Sequence, residues 1–584
     1  MTLNHLKKSL TLIFFLSLFV YKVFSQKVTE GNFNNWNYSP NSVHGNLELK
    51  KITKRSFFKI EKTNQGTVTV KQYNPSGIII NLTTLIFKEG LLTDLNEANQ
   101  WGDQYEFKSF SKVNDSEFIV TDHTWGVNSY LPCKYAKFIY KDELLKEIRF
   151  FSYAGKLAEN KNGVAIVRYK RCTDNVRFAE EKERSFFNSE DLPVSSTAAG
   201  FQKVIYEYDN QDNKIITSYF GVNGAPITVY GIGASSVCEY FDQDNNSIKT
   251  EDYKQDGTLT TNINGFSIWE FKYLNGYSVE EITYDSVHRI TRGNENAFGV
   301  AILKREYDSA GNNTRNFNFD EKGEPVNNWS GLHKIENTYS AANMLVKRSF
   351  FDCSGNPTVY NKNGHTLVYG RDDKGRITSL SFYGNDDSAV KSYNDEVFML
   401  KHKTDEYGRT VEISYWLDSI TPMPNWTGDY VSKIKFNREG QQIEGSSYDI
   451  DGNPFRGSDS ASMFKLIYNE DGRIVERQFL YKDSLTIRRG GLTSNYSVIK
   501  YGYNKNGKVS ELTFFDDNLK PVNATIALEE DINAHRIEFI YKGRKVVEQL
   551  LYEEGSNIPV KKIDCLKNKF IATTGIHDGR NYGD

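Results

Sequence analysis

The sequence repeats a short turn signal about every 33 residues, and no other feature constrains the fold as strongly. The clearest copy is YDSAG at 307–311, and its last position is Gly, Asn or Asp in each copy. These residues tolerate a left-handed backbone, so each copy predicts a three-residue hairpin loop closed by a residue with positive φ. The last positions are Asp212, Asn245, Gly276, Gly311, Asn343, Gly375, Gly408, Gly440, Gly472, Gly507 and Gly543.

Two further turn signals accompany this first turn. A second turn lies about twelve residues after the first, often with a Pro two residues later, and a third lies about twelve residues before the first. The second turns end at Gly224, Gly257, Gly323, Gly355, Asp387 and Gly452. The third turns end at Gly200, Gly233, Gly299, Gly331 and Gly428.

The segments between the turns alternate apolar and polar residues, as at 204–208 and 499–503. This alternation predicts antiparallel strands, whereas the period of an amphipathic helix does not persist anywhere. We therefore predict an all-β fold of tandem antiparallel β-hairpin repeats of about 33 residues, forming an extended or spiralling β-sheet or solenoid. Residues 529–534 stretch the last interval, and we expect a short helical or looped insert there.

The N-terminus has the pattern of a cleaved secretory signal. Lys7 and Lys8 precede an apolar run at 10–20, and small residues precede a cleavage point between Ser25 and Gln26. The run is shorter than the roughly 20 residues that span a bilayer, so we expect cleavage rather than an anchor. The expected protein is exported, without a membrane span after signal removal, and lies in the periplasm, at the cell surface or outside the cell.

The repeat register divides the chain. We expect a signal peptide at 1–25, an N-terminal β-rich cap or divergent domain at 26–132, the repeat array at 133–565 and a C-terminal tail at 566–584. Five Cys are scattered along the chain without a CxxC pair, so neither a disulfide framework nor a zinc ribbon is indicated. We expect most of them to be small buried residues.

The phrases YDSAGN at 307–312, YDIDGNP at 448–454 and DDKGRI at 372–377 resemble bacterial YD repeats, the RHS-type repeats of secreted proteins. The resemblance covers roughly residues 134–560. It implies a long β-strand spiral or shell, which in many such proteins encloses a C-terminal toxin. This chain differs because its unit is longer than the usual YD unit and only 566–584 follow the last repeat. The resemblance therefore suggests a repeat-only form without a toxin domain.

No sequence pattern indicates a catalytic centre, a metal site or a cofactor. Nucleophile elbow, P-loop and HExxH motifs do not occur. Two D-x-D-x-N segments resemble half of a calcium loop, but Tyr253 and Ser460 stand where the loop requires Glu, so we interpret both as hairpin turns. A pair of glycosidase carboxylates is not identifiable from sequence, because separation in space defines it. The net charge of −3 does not favour nucleic acid as a partner.

Two copies of the pattern Asn-Trp-Ser/Thr-Gly are the strongest candidates for ligand binding. Their indoles, Trp329 and Trp426, are 97 residues apart and so occupy the same loop of different repeats. His333 follows the first copy and is a further candidate. An exposed indole suits stacking on a sugar or a peptide, whereas an indole folded back onto the hairpin layer would only plug its end.

Three functions remain open from sequence. The first is an exported, non-enzymatic repeat protein that presents an aromatic-rich β surface to cell-wall or extracellular glycan, peptide or protein partners. The second is a secreted polysaccharide hydrolase with its site in the N-terminal region. The third is a shell or accessory protein of a toxin system. The absence of nucleophile, metal and phosphate motifs favours the first.

Overall fold

The computed structural model describes residues 27–564 apart from 29–30, 40–41, 49–56, 65, 89–90, 101–103, 115, 123–132, 143, 153, 172–180, 210–212, 295–298, 361–363, 393–395, 407, 438–439, 458–459, 471–472, 490–492, 505–507, 527–530 and 543–544. The described residues form strands, turns and loops without a helix, so they contain no apolar helix of membrane-spanning length. The expected cleavage site and the C-terminal tail lie outside them. The chain forms two compact units, Met1–Asn361 with Arg371–Arg376, and Lys362–Gly370 with Ile377–Asp584.

The first unit contains β1 Lys27–Val28, β2 Gly31–Ser39, β3 Ser42–Glu48, β4 Phe57–Asn64, β5 Thr67–Tyr73, β6 Ile79–Lys88, β7 Leu91–Asn99, β8 Gln104–Lys112, β9 Glu117–Asp122, β10 Tyr135–Lys141, β11 Leu144–Phe151, β12 Ile166–Arg171, β13 Glu181–Phe187, β14 Lys203–Asp209, β15 Lys214–Phe220, β16 Ser236–Phe241, β17 Ser247–Tyr253, β18 Ile268–Leu274, β19 Tyr277–Tyr284, β20 Ile302–Tyr307, β21 Asn313–Phe319, β22 Lys334–Tyr339 and β23 Leu345–Phe351.

The second unit contains β24 Thr366–Arg371, whose last residue is assigned to the first unit, β25 Ile377–Tyr383, β26 Met399–Thr404, β27 Thr410–Trp416, β28 Val431–Phe436, β29 Gln442–Tyr448, β30 Met463–Tyr468, β31 Ile474–Tyr481, β32 Ser484–Leu485, β33 Thr493–Ser494, β34 Val498–Tyr503, β35 Val509–Phe515, β36 Ala524–Ile526, β37 Ile532–Ala534, β38 Arg536–Lys542, β39 Lys545–Tyr552 and β40 Lys561–Asp564.

Neighbouring strands of the repeats pair antiparallel in chain order. In the first unit this order runs without interruption from β8 to β23. In the second unit it runs from β25 to β31 and continues through β34, β35, β38, β39 and β40. The predicted all-β fold of tandem antiparallel hairpins is therefore confirmed. In each hairpin the first turn lies at one edge of the sheet, and the second and third turns lie at the other.

The predicted turn residues have the expected backbone. Each predicted first, second or third turn residue that the structure describes has a φ between 60° and 94°. Gly440, for example, has φ 80° and lies between β28 and β29. Asp212, Gly472, Gly507 and Gly543 lie outside the described residues.

The Tyr-Asp pair of the repeat has a separate role for each residue. Asp308 Oδ1 accepts the N–H groups of Ala310 at 3.0 Å and Asn312 at 2.9 Å, so the side chain closes its own turn. Tyr307 Oη donates to the backbone carbonyl of Ser278 in the preceding repeat at 3.1 Å. The same bond to the preceding repeat is made by Tyr339, Tyr468, Tyr503 and Tyr541. One residue therefore forms the turn and the other joins neighbouring repeats.

The second strand of each repeat hairpin ends on an aromatic residue. The preceding side chain is on the opposite face and is buried in many repeats, as at Phe350 and Phe514, which are 1% and 0% exposed. The aromatic residue itself is half-buried in most repeats and in several is covered by a cation, as where Lys334 lies 4.0 Å from the ring centre of Phe351. The aromatic positions are Phe151, Phe187, Phe220, Tyr253, Tyr284, Phe319, Phe351, Tyr383, Trp416, Tyr448, Tyr481, Phe515 and Tyr552.

Within the first unit, the tip of an N-terminal hairpin contacts the first turns of much later repeats. Asn74 Nδ2 donates to the Ala310 carbonyl at 2.8 Å. Tyr277 Oη donates to Ser76 Oγ at 2.9 Å and accepts from the Ser76 N–H at 3.2 Å. The sheet of this unit therefore curves until the turn between β5 and β6 meets the first turns of these later repeats. We call this contact the seam.

The expected helical or looped insert at 529–534 is wrong for the part that the structure describes. Residues Ile532–Ala534 form β37, which pairs antiparallel with β36. The pairing buries Ala524, Ile526 and Ala534, which are at most 3% exposed, so burial of this short hairpin outweighs the helix propensity of the acidic stretch. Residues 527–530 lie outside the described part of the chain.

Candidate functional site

The two Asn-Trp loops are third turns, and each is closed by its own asparagine. In the first loop, Asn328 Oδ1 accepts the N–H groups of Ser330 at 2.9 Å and Leu332 at 3.0 Å. The Gly331 N–H donates to the Asn328 carbonyl at 2.9 Å. Leu332 is 1% exposed and anchors the loop on the sheet. These bonds hold Trp329 at the outer end of a well-defined loop.

The second Asn-Trp loop repeats this geometry. Asn425 Oδ1 accepts the N–H groups of Thr427 at 3.0 Å and Asp429 at 2.9 Å. Thr427 Oγ1 donates to the same oxygen at 2.7 Å, so the threonine side chain also helps to hold the turn closed. Trp426 occupies the position of Trp329, so two separate repeats present an indole on the same loop.

Both indoles are largely exposed. Trp329 is 68% exposed and Trp426 is 66% exposed. Of the two alternatives drawn from sequence, the exposed loop describes these side chains better than a plug over the hairpin layer. An exposed indole offers a flat apolar face for stacking.

The position of Trp329 depends on the preceding repeat. Its indole lies against Gly299, and a Cβ at residue 299 would overlap Trp329 Nε1 and Cδ1. Gly299 also has φ 67°, so this glycine serves both its own turn and the neighbouring indole. The ring is therefore held on one edge by backbone while its exposed face remains open to solvent.

His333 has a different environment from the indoles. Its Nδ1 lies 2.6 Å from the backbone carbonyl of Asn318, and its ring meets that of Phe319 edge-on, with ring centres 5.5 Å apart. The side chain is half-buried on the sheet. Its contacts are those of a packed residue, and a role in ligand binding remains an expectation from sequence.

Sequence reasoning missed Tyr230, which is 91% exposed. It lies in the third turn that ends at Gly233, where the Gly233 N–H donates to the Val229 carbonyl at 2.7 Å. The loop lacks the Asn-Trp pattern, and therefore motif comparison did not find it. The available signal was its repeat position, because Tyr230 precedes Trp329 by 99 residues, about three periods.

The edge that carries these aromatics is acidic in its second turns. In thirteen such turns the sequence has 18 Asp or Glu residues and six Lys or Arg residues. Backbone N–H groups of Glu324 and Lys322 lower the pKa of Asp320, and those of Ile420 and Thr421 lower the pKa of Asp418, so these tips remain ionised. The turns are 152–156, 188–192, 221–225, 254–258, 285–289, 320–324, 352–356, 384–388, 417–421, 449–453, 481–485, 516–520 and 553–557.

Other candidate chemistry in the first unit consists of paired charges. A depression of about 550 Å³ is lined by side chains that include Glu147, Arg168 and Glu183. Glu147 binds Arg168 at 2.8 Å, and Glu183 binds Lys170 at 2.6 Å, so both carboxylates have cationic partners. Across the described residues, no group of three or more His, Cys, Asp or Glu side chains is arranged to hold a metal ion.

No family model matches the sequence, and no curated protein matches it. Among solved structures, the chain is similar to the Photorhabdus luminescens Tc holotoxin pore, with 10% identity, 86% of this chain covered, 30% of that chain covered and a TM-score of 0.25. It is similar to TcdB2-TccC3 with 9% identity, 86% and 30% coverage and a TM-score of 0.27. The chain therefore spans about a third of the length of these proteins, and TM-scores this low do not establish a shared fold.

Proposed function

We propose that this protein is an exported, non-enzymatic repeat protein that binds a glycan, peptide or protein partner through aromatic side chains on its third turns. The observation that carries the proposal is the exposure of Trp329 and Trp426, 68% and 66%, at the same position of two repeats. The repetition of an exposed indole at one loop position supports binding, because Trp is among the residues that dominate binding hot spots.

The two Asn-Trp loops are suited to binding because their own hydrogen bonds already order them. Three hydrogen bonds to Asn425 Oδ1 and four hydrogen bonds involving Asn328 define the two loops before a ligand arrives. A loop held in place loses less conformational entropy on association, so more of the stacking energy appears as affinity. The Trp side chain adds one N–H donor beside its apolar face.

Export is the second part of the proposal, and it rests on the N-terminal sequence. The charged residues Lys7 and Lys8, the apolar run at 10–20 and the small residues before Gln26 support it. Terminal sequencing of the protein recovered outside the cytoplasm should give Gln26 as the first residue. A cytoplasmic protein that retains Met1 would contradict export.

The binding proposal is tested with Trp329→Ala and Trp426→Ala in the mature chain, screened against immobilised glycans and peptides. We expect each variant to unfold within about 0.5 kcal/mol of the wild type, because the lost side chains are mostly exposed. Retention on the bound partner should fall at least tenfold. Leu274→Ala is the matched control, since Leu274 is 62% exposed but lies at a first turn, on the other edge.

A second variant tests the indole without removing it. Gly299→Ala should displace the Trp329 ring and weaken binding, whereas Gly257→Ala should not, because a Cβ at 257 meets no neighbour and its φ of 79° adds comparable strain. Wild-type protein that binds none of the arrayed partners, or that binds one equally well after both Trp substitutions, would show the proposal to be wrong.

A further inference from the structure

The second unit carries a group of exposed apolar side chains around its Asn-Trp loop. Trp426 is 66% exposed on the third turn between β27 and β28. Ile420, on the second turn of the same connection, is 81% exposed, and Ile450, on the second turn between β29 and β30, is 58% exposed. The structure describes every residue of 417–430 and 449–455, and we call the exposed side chains of these two ranges the turn patch.

The two connections that form the turn patch lie next to each other at one edge of the sheet. Strands β28 and β29 pair antiparallel between them, so the connections are about 10 Å apart, at two strand spacings. Phe455 lies against Gly428, where a Cβ would overlap the phenylalanine ring. This contact joins the loop of Trp426 to the connection that carries Ile450.

The apolar side chains of the turn patch fit a protein surface better than a sugar. Leu417 is also 43% exposed, so three branched aliphatic side chains accompany one indole. A sugar ring stacks on an aromatic face, and an aliphatic side chain offers no such face. A protein interface instead combines an apolar centre with a polar rim. The composition of the turn patch therefore favours a protein segment as the ligand.

The rim of the turn patch is acidic. Asp418 Oδ1 accepts the Ile420 N–H at 2.8 Å, so this carboxylate lies beside an apolar member of the patch. Asp449 and Asp451 flank Ile450 in the sequence, and Asp451 is exposed. The two second turns contain these three Asp and neither Lys nor Arg. A cationic group on a partner would therefore meet opposite charge beside the apolar side chains.

The cations that approach the turn patch are engaged with aromatic rings. Lys401 Nζ donates to the Ser419 carbonyl at 2.8 Å and lies 3.4 Å from the ring centre of Trp416. Arg456 lies 3.9 Å from the ring centre of Tyr481. These charges reduce the negative potential of the rim, but within the described residues neither forms an ion pair with a rim carboxylate. The carboxylates therefore stay available to a partner.

We propose that the turn patch binds a cationic protein segment, one that places apolar side chains on Trp426, Ile420 and Ile450 and Lys or Arg side chains beside Asp418 and Asp451. This inference rests on the proposed binding function and deepens it by naming the chemistry of the partner and two further apolar residues. A neutral glycan would use the indole and leave both isoleucines in water. An anionic partner would meet repulsion at the rim.

The test uses the mature chain carrying Trp329→Ala as parent, so that only the second unit presents an Asn-Trp loop. A displayed library of random dodecapeptides is selected on this parent, and binding of galactomannan is measured beside it. We expect enriched peptides that combine Lys or Arg with Leu, Ile, Phe or Trp. Enrichment should fall at least tenfold when the same library is selected on the parent with Trp426→Ala or Ile420→Ser added.

One enriched peptide then serves for affinity measurements. Its dissociation constant should rise at least tenfold with Trp426→Ala and at least fivefold with Ile420→Ser or Ile450→Ser. Ile558→Ser is the matched control, because Ile558 is 78% exposed between β39 and β40, at the same edge of the second unit but several repeats away. The control should leave the dissociation constant unchanged.

The charge of the rim is tested by exchange. Asp451→Lys should weaken binding of the cationic peptide at least fivefold. A peptide in which Glu replaces each Lys and Arg should bind Asp451→Lys more tightly than it binds the parent. Asp451 is chosen because its backbone N–H, which donates to Asp449 Oδ1 at 3.0 Å, closes the turn and is kept in the variant.

The inference is wrong if no peptide is enriched, or if the enriched peptides lack basic residues. It is also wrong if Ile420→Ser and Ile450→Ser leave binding unchanged, since the indole then acts alone. The proposed function survives each of these results as long as the wild-type protein binds a partner through Trp329 or Trp426. Wild-type protein that binds no partner through either indole would contradict the proposed function itself, and the inference with it.

Discussion

At the scale of single residues, the seam of the first unit depends on a glycine that sequence reasoning had assigned to a turn alone. Gly311 has φ 85°, and a Cβ there would overlap Tyr277 Oη and crowd Asn74 Nδ2. The residue therefore closes its own turn and leaves space for a hairpin tip more than 200 positions earlier in the chain. A turn motif specifies the first property, and only the curved sheet imposes the second.

We predict that Gly311→Ala destabilises the chain by about 1 kcal/mol more than Gly323→Ala. Both glycines have φ above 80°, so the backbone strain of about 1–2 kcal/mol is common to the pair. A Cβ at 323 meets no neighbour, whereas the one at 311 displaces the Tyr277 contact. Denaturant unfolding of the two variants measures the difference. Equal losses would show that the seam contributes no stability.

A second residue-scale prediction concerns Asp252, which is 6% exposed at the repeat position that other repeats fill with Tyr219 or Phe350. Burial raises the pKa of Asp252 to about 6, although Asn262 Nδ2 donates to its carboxylate at 2.8 Å. The folded chain thus holds this proton more tightly than the unfolded chain. The contribution of Asp252 to the free energy of unfolding is therefore lowest above pH 7 and increases as the pH falls through about 6 towards 4.

Asp252→Asn should accordingly raise the free energy of unfolding at pH 8, by up to about 3 kcal/mol for a shift of about two pKa units. At pH 4 the substitution should change the free energy of unfolding little. Thermal unfolding of both proteins from pH 8 to pH 4 gives the comparison, and the difference between them isolates this group from the other carboxylates. A difference that does not depend on pH would mean that Asp252 is not the titrating group.

At the scale of the hairpin element, the tyrosine of the Tyr-Asp pair joins its hairpin to the preceding repeat through its hydroxyl. We predict that Tyr307→Phe destabilises the chain by about 1 kcal/mol, because the Ser278 carbonyl loses its 3.1 Å bond. Tyr230→Phe is the control, since its side chain is 91% exposed, and it should be neutral. Unfolding that is equally affected by both changes would show that the hydroxyl does not join the repeats.

Most turns were predictable because Gly, Asn and Asp report the local backbone directly. The exceptions are instructive, since His288 and Leu519 also have positive φ, 62° and 61°, without belonging to those residue types. In both turns a preceding Asp closes the turn with its side chain. Asp285 Oδ1 accepts the N–H groups of Val287 and Arg289, both at 2.9 Å, and Asp516 Oδ1 accepts those of Asn518 at 2.9 Å and Lys520 at 2.8 Å. Exposure of the indoles was not predictable, because the loop motif is the same whether the ring points out or folds back.

At the scale of the whole molecule, pairing in chain order means that each repeat contacts mainly its neighbours. The period of the turn signals and the alternation between them were therefore sufficient to anticipate the antiparallel pairing in chain order. The seam required the structure, since Asn74 and Ala310 are 236 residues apart and no local pattern links them. A repeat array of this kind has a stability that is approximately a sum over units and their interfaces.

Removal of one complete repeat from the second unit should consequently leave a folded array. Deletion of residues 399–430 removes β26, β27 and the turns that follow, and joins residue 398 to β28. Lys433 then replaces Lys401 opposite Ser379, and an even number of residues is lost, so each later side chain keeps its face.

Deletion of 410–430 instead puts β28 in the place of β27 and moves each later first turn to the opposite edge. We expect a cooperative β-rich protein from the first deletion and an aggregated one from the second, measured by circular dichroism and denaturant unfolding. If both deletion variants fold equally well, the first turns can lie at either edge of the sheet. If both are unfolded, the repeats are not independent units.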